Sequence, residues 1–375
     1  RIVRRTREQL ENQIDPETHE PLLQKISVRL LGEGDKDAIR LPPYLREAYE
    51  LAEEFCEKLG QRMKAAGFLK TLLLRRVGSS IHAGLRTAEK LLAEWEDIEE
   101  DIDEDEEDEA SGDRAAVGGS EFSRSLTSEE RHLLERFVAA LRANQERDPK
   151  YVVVRQCLLE RGWLRMGCIV FSQYRDSIQW LAEQLSEELD DEMIAIYSGP
   201  ATSGIMLNGE WAPRARDDLK LMVRRGEIRL MLGTDAASEG LNLQRLARLI
   251  NLDLPWNPTK LEQRKGRIQR IGQIHDTVEV YNMRYKDSVE DRVHELLSDR
   301  LQDIFSLFGQ IPDVLEDAWV AMALGEKERA KKIIDELPKS HPFELRYTHV
   351  EKINWESCRQ VLDAAEKQRV LTSGW

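Results

Sequence analysis

Between Met166 and Arg284 short apolar runs alternate with amphipathic stretches, and this alternation restricts the fold more than any other feature of the chain. Cys168-Ile169-Val170-Phe171 is apolar at every position, as a strand covered on both faces requires. Residues 177–189 follow with Ile178, Leu181, Leu185 and Leu189 at helical spacing. The same reading predicts strands over 193–197, 229–233, 246–252 and 277–284, and helices over 214–225 and 259–271. Strands joined by helices predict an α/β fold: a parallel sheet with helices on both faces. Ligands of such sheets sit at the carboxyl ends of the strands.

The flanks differ in kind. Over 41–94, Leu45, Tyr49, Leu51, Phe55, Leu59, Leu69, Leu72, Leu73, Leu85, Leu91 and Leu92 recur at three-to-four spacing and predict a helical subdomain. Residues 94–113 hold fourteen acidic side chains and no Lys or Arg. Such a run buries too little apolar surface to offset ordering and reads as a tether, or alternatively as a nucleic-acid mimic shielding a basic face. Thr127-Ser128-Glu129-Glu130 has the form of a capping box opening a helix that runs through Leu141. Residues 288–375 are helix-rich, with Val289, Val293, Leu296, Leu297, Leu301, Ile304, Phe305 and Leu307 forming a packing stripe, and with Trp355 and Trp375 as core or docking residues.

Charge and cysteine content narrow the class. The net charge of −15 resides almost wholly in the acidic run, whereas residues 211–270 carry thirteen Lys/Arg against seven Asp/Glu. A polyanionic partner is therefore compatible with the chain despite its acidic total. No apolar run is long enough to cross a membrane as a helix, and the reading is cytoplasmic, with no membrane partner. Cys56, Cys157, Cys168 and Cys358 include no Cys-x-x-Cys pair and read as buried free thiols, with no metal site among them.

Chemistry concentrates in two segments. Gln263-Arg264-Lys265-Gly266-Arg267-Ile268-Gln269-Arg270 places Arg267 and Arg270 three apart on a helix, where two guanidinium forks face the same way. The bland alternative is a solvated basic helix. About twenty residues upstream, Gly233-Thr234-Asp235-Ala236-Ala237-Ser238-Glu239-Gly240-Leu241-Asn242 begins at a strand's carboxyl end, where small residues admit phosphate or ribose. Asp235 and Asn242 offer acceptors to sugar hydroxyls or orient neighbouring side chains. No Gly-x-x-x-x-Gly-Lys-Ser/Thr loop exists; Gly84-Leu85-Arg86-Thr87-Ala88-Glu89-Lys90 lacks the second glycine.

These segments resemble motifs VI and V of helicase superfamily two, and Ile169-Val170-Phe171-Ser172-Gln173-Tyr174 resembles motif IV. Asp253-Leu254-Pro255-Trp256-Asn257-Pro258 and Arg270-Ile271-Gly272-Gln273 are similar to the signature of the Swi/Snf-type branch, which includes chromatin remodellers, double-stranded-DNA translocases and polymerase-recycling ATPases. Gly266 and Gln269 stand where many Swi/Snf-type proteins have an acidic residue and a histidine, a departure that sets chromatin remodelling in doubt. Val3-Arg4-Arg5-Thr6-Arg7 resembles the stretch leaving the first lobe, 72–92 resembles the helical insertion of bacterial members, and the chain downstream resembles the helicase-like component of the DISARM phage-defence system.

The resemblance implies a second RecA-like lobe over 127–286, preceded by a connector (1–40), a helical insertion (41–94) and an acidic linker (95–126), and followed by a helical extension (287–375). It further implies arginine fingers at Arg267 and Arg270, nucleotide contacts at Gly240, Asn242 and Gln263, and DNA contacts at Ser172, Thr234 and Trp256. ATP is the implied nucleotide, with Mg2+ held by ligands from an absent first RecA-like lobe. Arg1 falls where such a lobe would end, so the chain is expected to be a fragment that is inactive by itself. Double-stranded DNA, the first lobe in cis, and defence-system or polymerase proteins are the implied partners. A non-catalytic helicase-like module binding DNA or protein is the competing reading.

Overall fold

The computed structural model describes residues 26–32, 34, 37–61, 66–93, 126–235, 243–255, 258–269, 273–288, 291, 328–329 and 332. Along the chain run β1 (Ser27–Leu31), β2 (Ile39–Arg40), α1 (Pro43–Gly60), α2 (Ala66–Ser79), α3 (Ile81–Leu92), α4 (Ser128–Arg142) and α5 (Pro149–Leu159). There follow β3 (Cys168–Ser172), α6 (Arg175–Glu188), β4 (Ile194–Tyr197), β5 (Gly204–Leu207), β6 (Glu210–Pro213) and α7 (Arg216–Arg225). The last described elements are β7 (Leu230–Thr234), β8 (Arg248–Asn251), α8 (Pro258–Ile268), β9 (Thr277–Asn282) and β10 (Tyr285–Lys286). The acidic run, Cys358 and nearly all of the expected C-terminal extension lie outside the described residues.

Eight strands form one sheet in the order β1-β9-β8-β3-β7-β4-β5-β6. The first six are parallel neighbours, and β5 and β6 add an antiparallel hairpin at one edge. Alternation along β3 shows why the apolar run is needed. Cys168 and Val170 enter a core shared with α1–α6, whereas Ile169 and Phe171 enter a second core with Leu219 and Val223 of α7 and Ile268 of α8. A strand lined by helices on both faces exposes no position to water, so every residue of β3, β4 and β7 is buried. The fold is the expected α/β arrangement, a largely parallel sheet with helices on both faces, with a mixed edge.

β1 and the two strands of the β5–β6 hairpin were not among those expected. β1 falls in the stretch read as connector, yet it pairs with β9 from Ser27↔Thr277 to Leu31↔Tyr281. As an edge strand it leaves Arg29 and Leu30 exposed, Leu30 at 47%. The β5–β6 hairpin turns at Asn208-Gly209, both left-handed (φ 50 and 78), the conformation a two-residue turn of this hand demands. Gly204 is fixed by the same hairpin: a Cβ there would lie 2.5 Å from the Trp211 ring.

The helices of 43–92 form part of the layer over one sheet face, packing on α4 and α6 and sharing a continuous core with the strands. Their ends are capped by specific side chains. Thr127 and Glu130 close the capping box of α4 reciprocally. Ser80, between α2 and α3, accepts from Ala83 N at 3.0 Å. Asp148 caps two helices at once, accepting from Lys150 N (2.9 Å) and Tyr151 N (3.3 Å) of α5 and from Ile81 N (2.8 Å) of α3. Complete burial pushes its carboxyl above the ordinary range, with these N–H donors acting in the opposite sense.

Candidate nucleotide and nucleic-acid site at the strand ends

β3, β7 and β8 end side by side, and α8 lies against those ends through one buried cation. Arg264 has no exposed surface. Its Nε and Nη2 donate to Oδ1 (2.5 Å) and Oδ2 (2.8 Å) of Asp235, just past β7, in a two-pronged pair. Nη1 donates to Asn251 Oδ1 (3.0 Å) at the end of β8 and to the Asp253 carbonyl (3.2 Å). The guanidinium carbon sits 5.4 Å from the Phe171 ring centre. A guanidinium presents its donors in a fixed plane, so these partners set the rotation of α8 about its axis as well as its distance.

Asp253 is a second hub. Oδ1 accepts from Gln173 N (2.9 Å), while Oδ2 accepts from the hydroxyls of Ser79 (2.6 Å) and Ser172. Gln173 Nε2 reaches the Leu254 carbonyl at 3.1 Å. The carboxylate is 1% exposed and also faces Arg264 Nη2 at 3.9 Å.

The expected site residues fall into three groups. On α8, Gln263 is exposed, and Arg267 one turn further on is partly buried with its Nε enclosed; their spacing makes them neighbours along the helix. Ser172 and Thr234 are neighbours in register at the ends of β3 and β7. Both are buried, at 0% and 3%, and the Ser172 hydroxyl is committed to Asp253. Neither side chain is presented to solvent in this lobe, and the Ser172 hydroxyl helps to order the strand ends from within. Gly240, Asn242, Trp256 and Arg270 lie outside the described residues.

Gln263 and Arg267 together offer an amide and a guanidinium, N–H donors of the kind that phosphate oxygens accept. Asp235, read as a ribose acceptor or an orienting group, acts as the latter: both its oxygens are taken by Arg264. Cys56, Cys157 and Cys168 are buried and free. Burial pushes the Cys56 thiol up to about 12. Among the described residues no three His, Cys, Asp or Glu side chains are grouped to hold a metal ion, and no helix is long and apolar enough to cross a membrane.

Residues 151–272 match the family model of the helicase conserved C-terminal domain. An uncharacterized ATP-dependent helicase of Bacillus subtilis, YqhH, is 36% identical over 150 residues, covering 39% of this chain and 24% of its own length. The RNA polymerase-associated protein RapA of Vibrio campbellii is 26% identical over 194 residues, covering 44% of this chain and 19% of that protein. The matched stretch is similar to the C-terminal lobe of Swi/Snf-type ATP-dependent helicases. The chain thus spans about a quarter or less of these relatives' length. Among solved structures, the C-terminal part of the Fun30 ATPase domain covers 82% of this chain and 98% of its own at 15% identity and a TM-score of 0.44, too loose a likeness to support more.

Three residues that build the site carried no sequence signal of their own. Arg264 stands in a basic helix, and only its pairing with Asp235, 29 residues earlier, makes it a core residue. Ser79 meets Asp253 across 174 residues. Lys150 is 0% exposed, with Nζ donating to the Leu252 carbonyl and lying 5.0 Å from the Tyr285 ring centre.

Proposed function

We propose that this helicase lobe completes, with a first RecA-like lobe in cis, the ATP-hydrolysing site of a double-stranded-DNA translocase. The observation that carries the reading is α8, which bears Gln263 and the partly buried Arg267 one turn apart and is fixed to the strand ends by a wholly buried Arg264. A cation held rigidly before charge develops stabilises that charge without reorganisation, which is how an arginine finger accelerates phosphoryl transfer. In this reading Arg267, joined by Arg270, neutralises the leaving phosphoryl group, and Gln263, Gly240 and Asn242 bind the nucleotide.

Mg2+, held by carboxylates of the first lobe, neutralises phosphate charge when bound. Trp256, beyond the clamped 252–254 segment, contacts DNA. The similarity to an ATP-dependent helicase, YqhH, and to an RNA polymerase-associated protein, RapA, supports ATP dependence and a polymerase-type partner respectively. The 375-residue chain lacks the phosphate-cradling loop and is proposed to be inactive alone.

Hydrolysis is to be measured on the chain joined to its first lobe, with duplex DNA, single strands, RNA or no nucleic acid. Stimulation strongest with duplex DNA is the expected result. Absence of hydrolysis under every condition refutes the proposal and returns the lobe to the non-catalytic binding module.

A further inference from the structure

Residues 252–254 leave β8 and lead toward α8, and their polar groups are gripped from two directions. The sheet side supplies Gln173 N and Ser172 Oγ to the Asp253 carboxylate, Gln173 Nε2 to the Leu254 carbonyl and Arg264 Nη1 to the Asp253 carbonyl. The helical layer supplies Ser79 Oγ to Asp253 Oδ2 and Lys150 Nζ to the Leu252 carbonyl. Ser79 and Lys150 are both wholly buried.

The Ser79 contact ends a chain of hydroxyls. A serine has one proton to donate, and that of Ser79 goes to the carboxylate. Ser79 therefore accepts from Ser177 at 2.8 Å, and Ser177 accepts from Ser80 at 2.7 Å. Ser80 in turn accepts from Ala83 N, the first turn of α3. Each link polarises the next, and a network satisfied at every member holds its parts in one arrangement. The same joint also grips the loop after β3: Arg75 Nη2 donates to Gln173 Oε1 at 2.8 Å, and Arg76 lies 3.5 Å from Asp176 and over the Tyr174 ring.

Apolar contact would serve to glue a helical layer to a sheet. Burying a lysine and a run of hydroxyls instead costs desolvation and returns a defined position. We infer that Ser79 and Lys150 are positioning residues: through Asp253 and Leu252 they set the course of 252–254, and so the way α8 presents Gln263 and Arg267. The α2–α3 joint is thereby the point at which the helical layer acts on the ATP-facing helix. The effect on turnover rests on the function proposed above; the effect on α8 does not.

Two measurements separate these. On the 375-residue chain, Ser79→Ala and Lys150→Met are expected to speed amide hydrogen exchange in α8 by about tenfold relative to α4, as loss of a hydrogen bond to a charged partner does. Exchange in α8 that tracks α4 overturns the inference. In the two-lobed protein, Ser79→Ala is expected to lower DNA-stimulated kcat about tenfold with little change in KM for ATP. Adding Ser79→Ala to Asp253→Asn is expected to cost nothing further, because the serine acts through that carboxylate. A lowered Tm with kcat retained, or effects that multiply, reduces Ser79 to structural glue and overturns the inference. If Arg267→Ala leaves hydrolysis intact, the functional reading fails, and the exchange result alone decides the positioning role.

Discussion

Replacing Arg264 by alanine tests the latch between α8 and the strand ends. The substitution removes two bonds to Asp235, one to Asn251 Oδ1 and one to the Asp253 carbonyl. It strands the Asp235 carboxylate, which is 9% exposed and too deep for water to replace the guanidinium freely. Breaking a buried pair from one side costs about 3–5 kcal/mol, about a fifth or more of the stability of an ordinary domain. At a urea dependence of about 2 kcal/mol per molar, the unfolding midpoint drops by about 2 M. Lysine keeps the charge but loses the planar fork, and is expected to recover only part of the loss. Removing both charges with Asp235→Asn and Arg264→Met is expected to be milder than Arg264→Ala, since no buried charge is left alone. Urea titration followed by circular dichroism reads all of these, with exposed Gln263→Ala as a control expected within about 0.5 kcal/mol of the parent. An Arg264→Ala shift no larger than that of Gln263→Ala refutes the reasoning.

At Gly266 an added Cβ meets nothing within 4 Å, so Gly266→Ala is expected to stabilise α8 by about 0.5–1 kcal/mol, and a loss in urea titration would contradict the packing described. At Gly84 a Cβ would fall 2.3 Å from Val77 Cγ2, so Gly84→Ala is expected to destabilise by about 1–3 kcal/mol, with Val77→Ala in the same chain recovering part. Burial lowers the pKa of His82, which stacks on Trp180 at 6.2 Å, below 6.5. The folded state then binds fewer protons than the unfolded one, so this contribution is present above about pH 6.5 and lost as the pH falls below it. His82→Asn is expected to flatten the decline in Tm between about pH 7.5 and pH 5.5; an unchanged slope contradicts the assignment.

The strands most legible in the sequence are those buried on both faces, because they demand an unbroken apolar run. β3, β4 and β7 have that pattern, and the expected spans differ from the observed ones by a residue or so at the ends. β1 and β6 lie at the sheet's edges, where half the positions meet solvent and hydrophobicity stops reporting structure. Asn208-Gly209 was the available signal for the β5–β6 hairpin, a turn signal rather than an apolar one.

Within the site, the basic cluster on α8 was visible while its division of labour was not. Gln263 is exposed and Arg267 partly buried, whereas Arg264 between them is core. A sequence shows charge but not which charge has a buried partner, and Asp235 supplies that partner from another element. The serine–aspartate joint is further from reach, since isolated serines at 79, 172 and 177 have no periodicity and gain meaning only where three elements meet.

The central claim is that α8 is held in place to set Arg267 against a nucleotide bound mainly by another lobe. It is tested most directly by the steady-state kinetics of Arg267→Ala in the two-lobed protein. The account predicts a fall in kcat of about 10³-fold or more, with KM for ATP moving far less, because the guanidinium acts on charge that develops only as the phosphoryl group leaves. A kcat within about tenfold of the parent, or a loss confined to KM, contradicts it.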